Sequence, residues 1–315
     1  MRPHELLDPA YRSFLAAGSD TWSLATLPAI RARVHATFKT PEQARGESVW
    51  TSAHDGERLR LCLYKPDGVA RSTTCPVILY IHGGGFVLGQ PEMADDYLAD
   101  LATQLGVLIV AVDYRLAPEH PFPTPLEDCY TALGWVFAHQ RELNGDTRRA
   151  VIMGHSAGGG LTAALAILAR DRGAYPITGQ VLIYPMLDHR TGSADSPHRN
   201  VTTGMIGWPH QANRFCWDCL RGQQTLDQQQ TGWFSPALQP DLSGLPPTFI
   251  SVGALDLFLE EDVAYALRLS RAGVAVELHI YPGAPHMFDQ YPGAITEQSA
   301  GDVARALQRM IANRK

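Results

Sequence analysis

Ser156 lies in Gly154-His155-Ser156-Ala157-Gly158, between the apolar run 150–154 and a stretch rich in helix formers, residues 159–170. A serine hydroxyl is a weak nucleophile until a neighbouring base takes its proton and a carboxylate orients that base. The spacing is G-x-S-x-G in a strand–turn–helix context, which places the serine on a sharp turn above the end of a strand and puts acid and histidine after it in chain order. A helix-capping serine is the plain alternative. Two later positions have the right types: Asp256, at the end of the apolar run 246–256, and His286, in the loop Pro282-Gly283-Ala284-Pro285-His286. Glu260, Glu261 and Asp262 compete with Asp256, but the first turn of a helix favours acids simply through its dipole. His279 falls inside an alternating run on the same side as Glu277 and reads as surface. His82-Gly83-Gly84-Gly85-Phe86 follows a third apolar run, residues 75–81. Backbone N–H groups of Gly83, Gly84 and Ala157 are the expected donors to a developing oxyanion.

These residues need a scaffold that gathers strand ends. Runs at 49–54 and 59–66 flank Asp55-Gly56, a hairpin signal, and six further apolar runs fall at 75–83, 106–114, 150–154, 179–185, 246–256 and 274–283. Helix-length segments at 94–105, 125–144, 157–171, 259–272 and 297–312 alternate with them. The pattern predicts an α/β protein with an eight-stranded, mostly parallel sheet covered by helices on both faces. Its catalytic groups should collect outside the carboxyl ends of the strands. Leu6, Leu7, Tyr11 and Leu15 suggest a helical start, and 188–235 is too long for a plain loop. The expected organisation is N-terminal cap helices in 1–45, a core in 46–187 and 236–315, and a cap insertion in 188–235. The Gln-rich stretch 223–230 reads as a solvated turn.

Composition narrows the function classes. With 26 Lys and Arg against 32 Asp and Glu, the chain has no basic surplus for a nucleic-acid backbone. Its longest apolar runs are strand-sized, and the charged start lacks the apolar centre of a signal peptide, so a cytoplasmic protein without a membrane partner is expected. Five cysteines at irregular positions do not resemble a secreted framework. Cys216 and Cys219 read as reduced thiols one helical turn apart. No metal-ligand spacing is present.

HGGGF, the stretch Tyr114-Arg115-Leu116-Ala117-Pro118-Glu119-His120-Pro121-Phe122-Pro123 and GHSAGGG together resemble the bacterial hormone-sensitive-lipase-like esterases of the α/β-hydrolase fold. The resemblance runs through nearly the whole chain. It implies hydrolysis of carboxylic esters, mostly short-acyl ones, by Ser156, Asp256 and His286 without a cofactor, beneath a cap built from both cap segments. A small-molecule ester is the expected partner, and the oligomeric state, a homodimer included, stays open. Phe86, Trp208, Phe215 and Leu257 are the expected pocket residues. The chain departs from the family in having His155 where Asp is usual and Leu257-Phe258 where Pro-Leu is common. An amidase or arylformamidase fits the same motifs. A non-catalytic binding protein fits the fold, although such proteins lack the histidine found here at 286.

Overall fold

The computed structural model describes residues 3–16, 20–68 and 73–312. In chain order the strands are β1 (Glu47–Ser52), β2 (Arg58–Tyr64), β3 (Cys75–Ile81), β4 (Leu108–Asp113), β5 (Gly145–His155), β6 (Gly179–Ile183), β7 (Thr248–Gly253) and β8 (Val276–Tyr281). The α-helices are α1 (Pro3–Leu6), α2 (Leu27–His35), α3 (Asp95–Leu105), α4 (Thr124–Ala138), α5 (Ala157–Arg172), α6 (His210–Arg221), α7 (Gln228–Phe234), α8 (Leu259–Arg271) and α9 (Ala294–Ala312).

One sheet in the order β1-β2-β4-β3-β5-β6-β7-β8 organises the chain. β2 runs antiparallel to both β1 and β4, and the other pairings are parallel. Each βαβ step carries the chain back to the same edge, so the loops after β3, β5, β7 and β8 open on one side. Successive β3 residues explain the apolar runs. Val77, Leu79 and Ile81 enter one buried cluster with α4 and α5, whereas Ile78 and Tyr80 enter a second with α3 and α9. A strand covered on both faces has no reason to alternate with polar residues.

The start of the chain is less regular than its apolar spacing suggests. α1 is one turn, a 3-10 helix spans Pro9–Ala16, and α2 comes later. Leu7 and Tyr11 are buried but Leu15 is half exposed, so helical spacing alone misjudged the face. Residues 1, 2 and 17–19 of the proposed cap segment lie outside the described residues. In the insertion, α6 and α7 follow turns over 188–209. The Gln-rich stretch is more than a turn: Gln228–Gln230 open α7. Asp227 caps that helix by accepting from the Gln230 N–H, and the Gln230 side chain accepts from the Asp227 N–H. That reciprocal cap satisfies two otherwise orphaned donors.

Candidate active site

β5 delivers Ser156 at the bend into α5 with φ 55° and ψ −120°, a backbone conformation costing about 1–3 kcal/mol for a non-glycine residue. The flanking glycines permit the bend by removing Cβ atoms. A methyl group at Gly154 would lie 2.3 Å from the Gly158 carbonyl oxygen. One at Gly158 would lie 2.1 Å from the Ile81 oxygen and 2.3 Å from that of His82. The nucleophile's turn is thereby packed directly on the end of β3.

Ser156 Oγ is 2.9 Å from His286 Nε2, and His286 Nδ1 is 2.7 Å from Asp256 Oδ2. Asp256 Oδ1 also accepts the Phe258 N–H at 3.0 Å, which fixes the carboxylate. All three side chains are buried. A carboxylate at Nδ1 selects the Nδ1–H tautomer, so the Nε2 lone pair faces the serine hydroxyl and can accept its proton. The loops carrying the acid and the histidine are tied together: Ala254 N–H donates to the Tyr281 carbonyl at 2.8 Å and Leu255 N–H to that of Ala284 at 3.0 Å. Tyr184 and Phe258 pack edge-on against the His286 ring at 4.7 and 5.0 Å.

The rival carboxylates do other things. Glu261 accepts from the N–H groups of Leu187 and Asp188, and Glu260 accepts from the Asn200 amide. Asp262 is fully buried, and neither of its carboxyl oxygens has a partner. Burial, reinforced by Glu261 and Asp256, pushes its pKa well above the usual carboxylate range, which favours the neutral acid. His279 is half-buried rather than surface, because its ring stacks near Tyr281 and bonds Glu277 at 2.8 Å.

The glycine loop after β3 is held by its neighbours. Burial pushes the His82 pKa down, leaving a neutral ring that stacks on Tyr114 at 4.2 Å and whose Nδ1–H donates to the Gly83 carbonyl at 2.7 Å. The Tyr114 hydroxyl donates to the His82 carbonyl at 3.0 Å, and Ala117 N–H donates to the Phe86 carbonyl at 2.9 Å. Residues 114–117 therefore brace the loop, a role the sequence motif does not reveal. A methyl group at Gly83 would sit 3.4 Å from Ser156 Cβ, so this backbone runs beside the nucleophile. Gly84 has φ 114°, where a side chain would meet the Leu88 oxygen at 2.0 Å. Ala157 opens α5, where its N–H has no helical acceptor.

A cavity of about 960 Å³ reaches Ser156, His286, Gly83 and Gly84. Trp22, Ile30, Val34 and Phe38 line it from the N-terminal segment, and Met205, Ile206 and Trp208 from the insertion. Trp208 is the one expected pocket residue that lines it. Phe86 is instead buried under the glycine loop, its ring 5.0 Å from Trp217, and Phe215 packs on the outer side of Trp22 at 6.0 Å. Leu257 lines a separate cavity of about 230 Å³ with Thr191, His198 and Glu260. The opposite wall of the main cavity was missed by sequence reasoning. There Tyr80, Tyr97, His155, Tyr184 and Asp289 converge beside the nucleophile. His155, visible only as a departure from family pattern, was the sole sequence signal for that wall.

Cys216 and Cys219 are free and buried on α6. Burial raises the Cys219 thiol to about 11, so it stays protonated. Among the described residues, no group of three or more His, Cys, Asp or Glu could hold a metal ion. Among them too, no helix is long and apolar enough to cross a membrane.

Comparison with known proteins gives concordant results. The profile of a family described as alpha/beta hydrolase fold matches residues 78–290. The chain is 32% identical to carboxylesterase NlhH of Mycobacterium tuberculosis, over 97% of this chain and 96% of the relative. It is similar to the solved structure of a bacterial heroin esterase, with a TM-score of 0.85 at 33% identity over 98% of each chain. A further similar structure is brefeldin A esterase, described as a bacterial homologue of human hormone sensitive lipase. Its TM-score is 0.80 at 25% identity, covering 98% of this chain and 95% of that one.

Proposed function

The chain belongs to the α/β-hydrolase fold family, among its hormone-sensitive-lipase-like carboxylic ester hydrolases, and from that premise we propose that it cleaves short-acyl esters through an acyl-enzyme on Ser156. The observation that carries this reading is the continuous array from Ser156 Oγ through His286 to Asp256, at 2.9 and 2.7 Å, opening on the main cavity.

His286 Nε2 takes the hydroxyl proton as Oγ attacks the ester carbonyl, and Asp256 stabilises the imidazolium without taking the proton. Backbone N–H groups of Gly83, Gly84 and Ala157 receive the negative charge of the tetrahedral intermediate. One such donor is worth about 10²–10³ in rate. The imidazolium then protonates the leaving alcohol, and a water repeats the sequence on the acyl-enzyme.

A fixed roof supports the short-acyl preference. Trp208 meets Trp22 edge-on at 5.3 Å, its Nε1–H donates to Asn213 Oδ1 at 3.3 Å, and Asn213 is in turn bonded to the Thr191 carbonyl at 2.7 Å. Each methylene that fits beneath this roof contributes up to about 0.8 kcal/mol. Beyond it, further carbons must displace tied aromatic groups. In the insertion, only Val201 and Met205 are exposed large apolar residues among those described, too few for an interfacial surface. The test is kcat/KM across p-nitrophenyl esters from acetate to palmitate. A maximum between acetyl and hexanoyl is expected, and faster hydrolysis of palmitate than of butyrate overturns the chain-length reading.

A further inference from the structure

The wall of the cavity beside the nucleophile is polar in a way that hydrolysis of a simple alkyl ester does not use. His155 immediately precedes Ser156 and lines the same cavity. Its Nδ1 lies 3.1 Å from the Tyr80 hydroxyl and its Nε2 3.4 Å from Asp289 Oδ2. The Tyr184 hydroxyl donates to Asp289 Oδ1 at 2.6 Å. Burial alone would raise the Asp289 pKa, but the hydrogen bond and charge of His155 and the Tyr184 hydroxyl outweigh it and hold the group below the usual range. Asp289 is thus a carboxylate, 24% exposed at the cavity.

A carboxylate has about four lone-pair sites. Tyr184 takes one through a short bond and His155 no more than one other, so acceptor capacity remains. Across the same space, Tyr97 lines the cavity and meets the His155 ring edge-on at 5.8 Å. No hydrogen bond engages its hydroxyl among the described residues. Burial, with the nearby charge of Asp289, raises its pKa, so it keeps its proton. The cavity that holds Ser156 is therefore also lined by an anionic acceptor, Asp289, and an uncommitted O–H donor, Tyr97, with the rings of Tyr80 and Tyr184 beside them.

A single hydroxyl group matches both, since it donates and accepts. An alkyl group there would desolvate the remaining acceptor sites of Asp289 and leave the Tyr97 hydroxyl without a partner, a mismatch by which polar sites reject apolar analogues. We infer that this lobe is a subsite for a hydroxyl borne by the ester, which donates to Asp289 and accepts from Tyr97, so that hydroxyl-bearing esters are preferred substrates. The inference rests on the ester-hydrolase reading and names a substrate class for the same site.

Two matched substrate pairs test it, one for each half of the ester: p-nitrophenyl 3-hydroxybutyrate against p-nitrophenyl butyrate, and 4-hydroxybutyl acetate against pentyl acetate. The kcat/KM ratio within each pair is read for the native chain, Asp289→Leu and Tyr97→Phe, so that any general loss of rate cancels. The expected result is a preference of about tenfold or more for the hydroxyl in at least one pair, falling below threefold in at least one variant. A smaller native preference in both pairs overturns the inference, as does a preference that stays above threefold in both variants; either result leaves ester hydrolysis standing. Hydrolysis of none of the four substrates refutes the ester-hydrolase reading and the inference with it.

Discussion

Replacing Asp256 by Asn changes one atom in a fully buried side chain and should nearly abolish turnover. The Asn carbonyl can still accept from the Phe258 N–H at the Oδ1 position. Its amide N–H₂ then faces His286 Nδ1 across the 2.7 Å now occupied by a charge-assisted hydrogen bond. Two donors cannot share that contact, so the ring must move its proton to Nε2. There it donates towards Ser156 Oγ and can no longer accept the hydroxyl proton. The corresponding change in a serine protease costs about 10⁴ in kcat, equivalent to about 5.5 kcal/mol of transition-state stabilisation. The assay is kcat on p-nitrophenyl butyrate, with far-UV circular dichroism to show an unchanged fold. Glu260→Gln, in the first turn of α8, serves as control and should change kcat by less than about twofold, as expected for a group outside the array. A folded Asp256→Asn protein within tenfold of the native rate would refute the argument.

Gly158→Ala would drive a methyl group into the Ile81 and His82 carbonyls. It should cost about 1–3 kcal/mol by overpacking and lower kcat at least tenfold, read by thermal melting and turnover together. Asp262 has its folded-state pKa raised, so the native chain holds that proton more tightly than the unfolded chain does. Its contribution to stability is present below the unfolded carboxylate pKa and is lost as pH rises through the folded one. Asp262→Ala should therefore stabilise the fold, by an amount that grows from mildly acidic to alkaline pH and reaches about 1–3 kcal/mol, read by denaturant unfolding at each pH. A gain independent of pH would show that the carboxyl is not the cause.

The juxtaposition of Ser156, Asp256 and His286 was legible because each follows a strand whose end is punctuated by small residues, and chain order then limits the choices. The glycine loop was legible for the same reason. The pocket was not. Phe86 and Phe215 are large aromatics in suggestive places, yet the first is turned under its own loop and the second backs Trp22. Only three-dimensional packing decides that an aromatic side chain faces a cavity or its outer wall. Residues 188–209 have no period to read, so the part of the roof containing Trp208 could not be placed by spacing. Asp289 belongs to no motif, and it matters because Tyr184 and His155, more than a hundred residues earlier, fold against it. The helical start was misjudged because local 3-10 geometry and burial against Phe288 outweighed the 3.6-residue pattern.

Ser156 is the residue that should become acylated, and covalent labelling tests this most directly. Native protein treated with diethyl p-nitrophenyl phosphate should lose all activity as one diethylphosphoryl group per chain is added, mapped by peptide mass spectrometry to the segment containing Ser156. Ser156→Ala should neither take up the label nor hydrolyse p-nitrophenyl butyrate. A label on any other residue that tracks inactivation, or full activity in Ser156→Ala, would contradict the account.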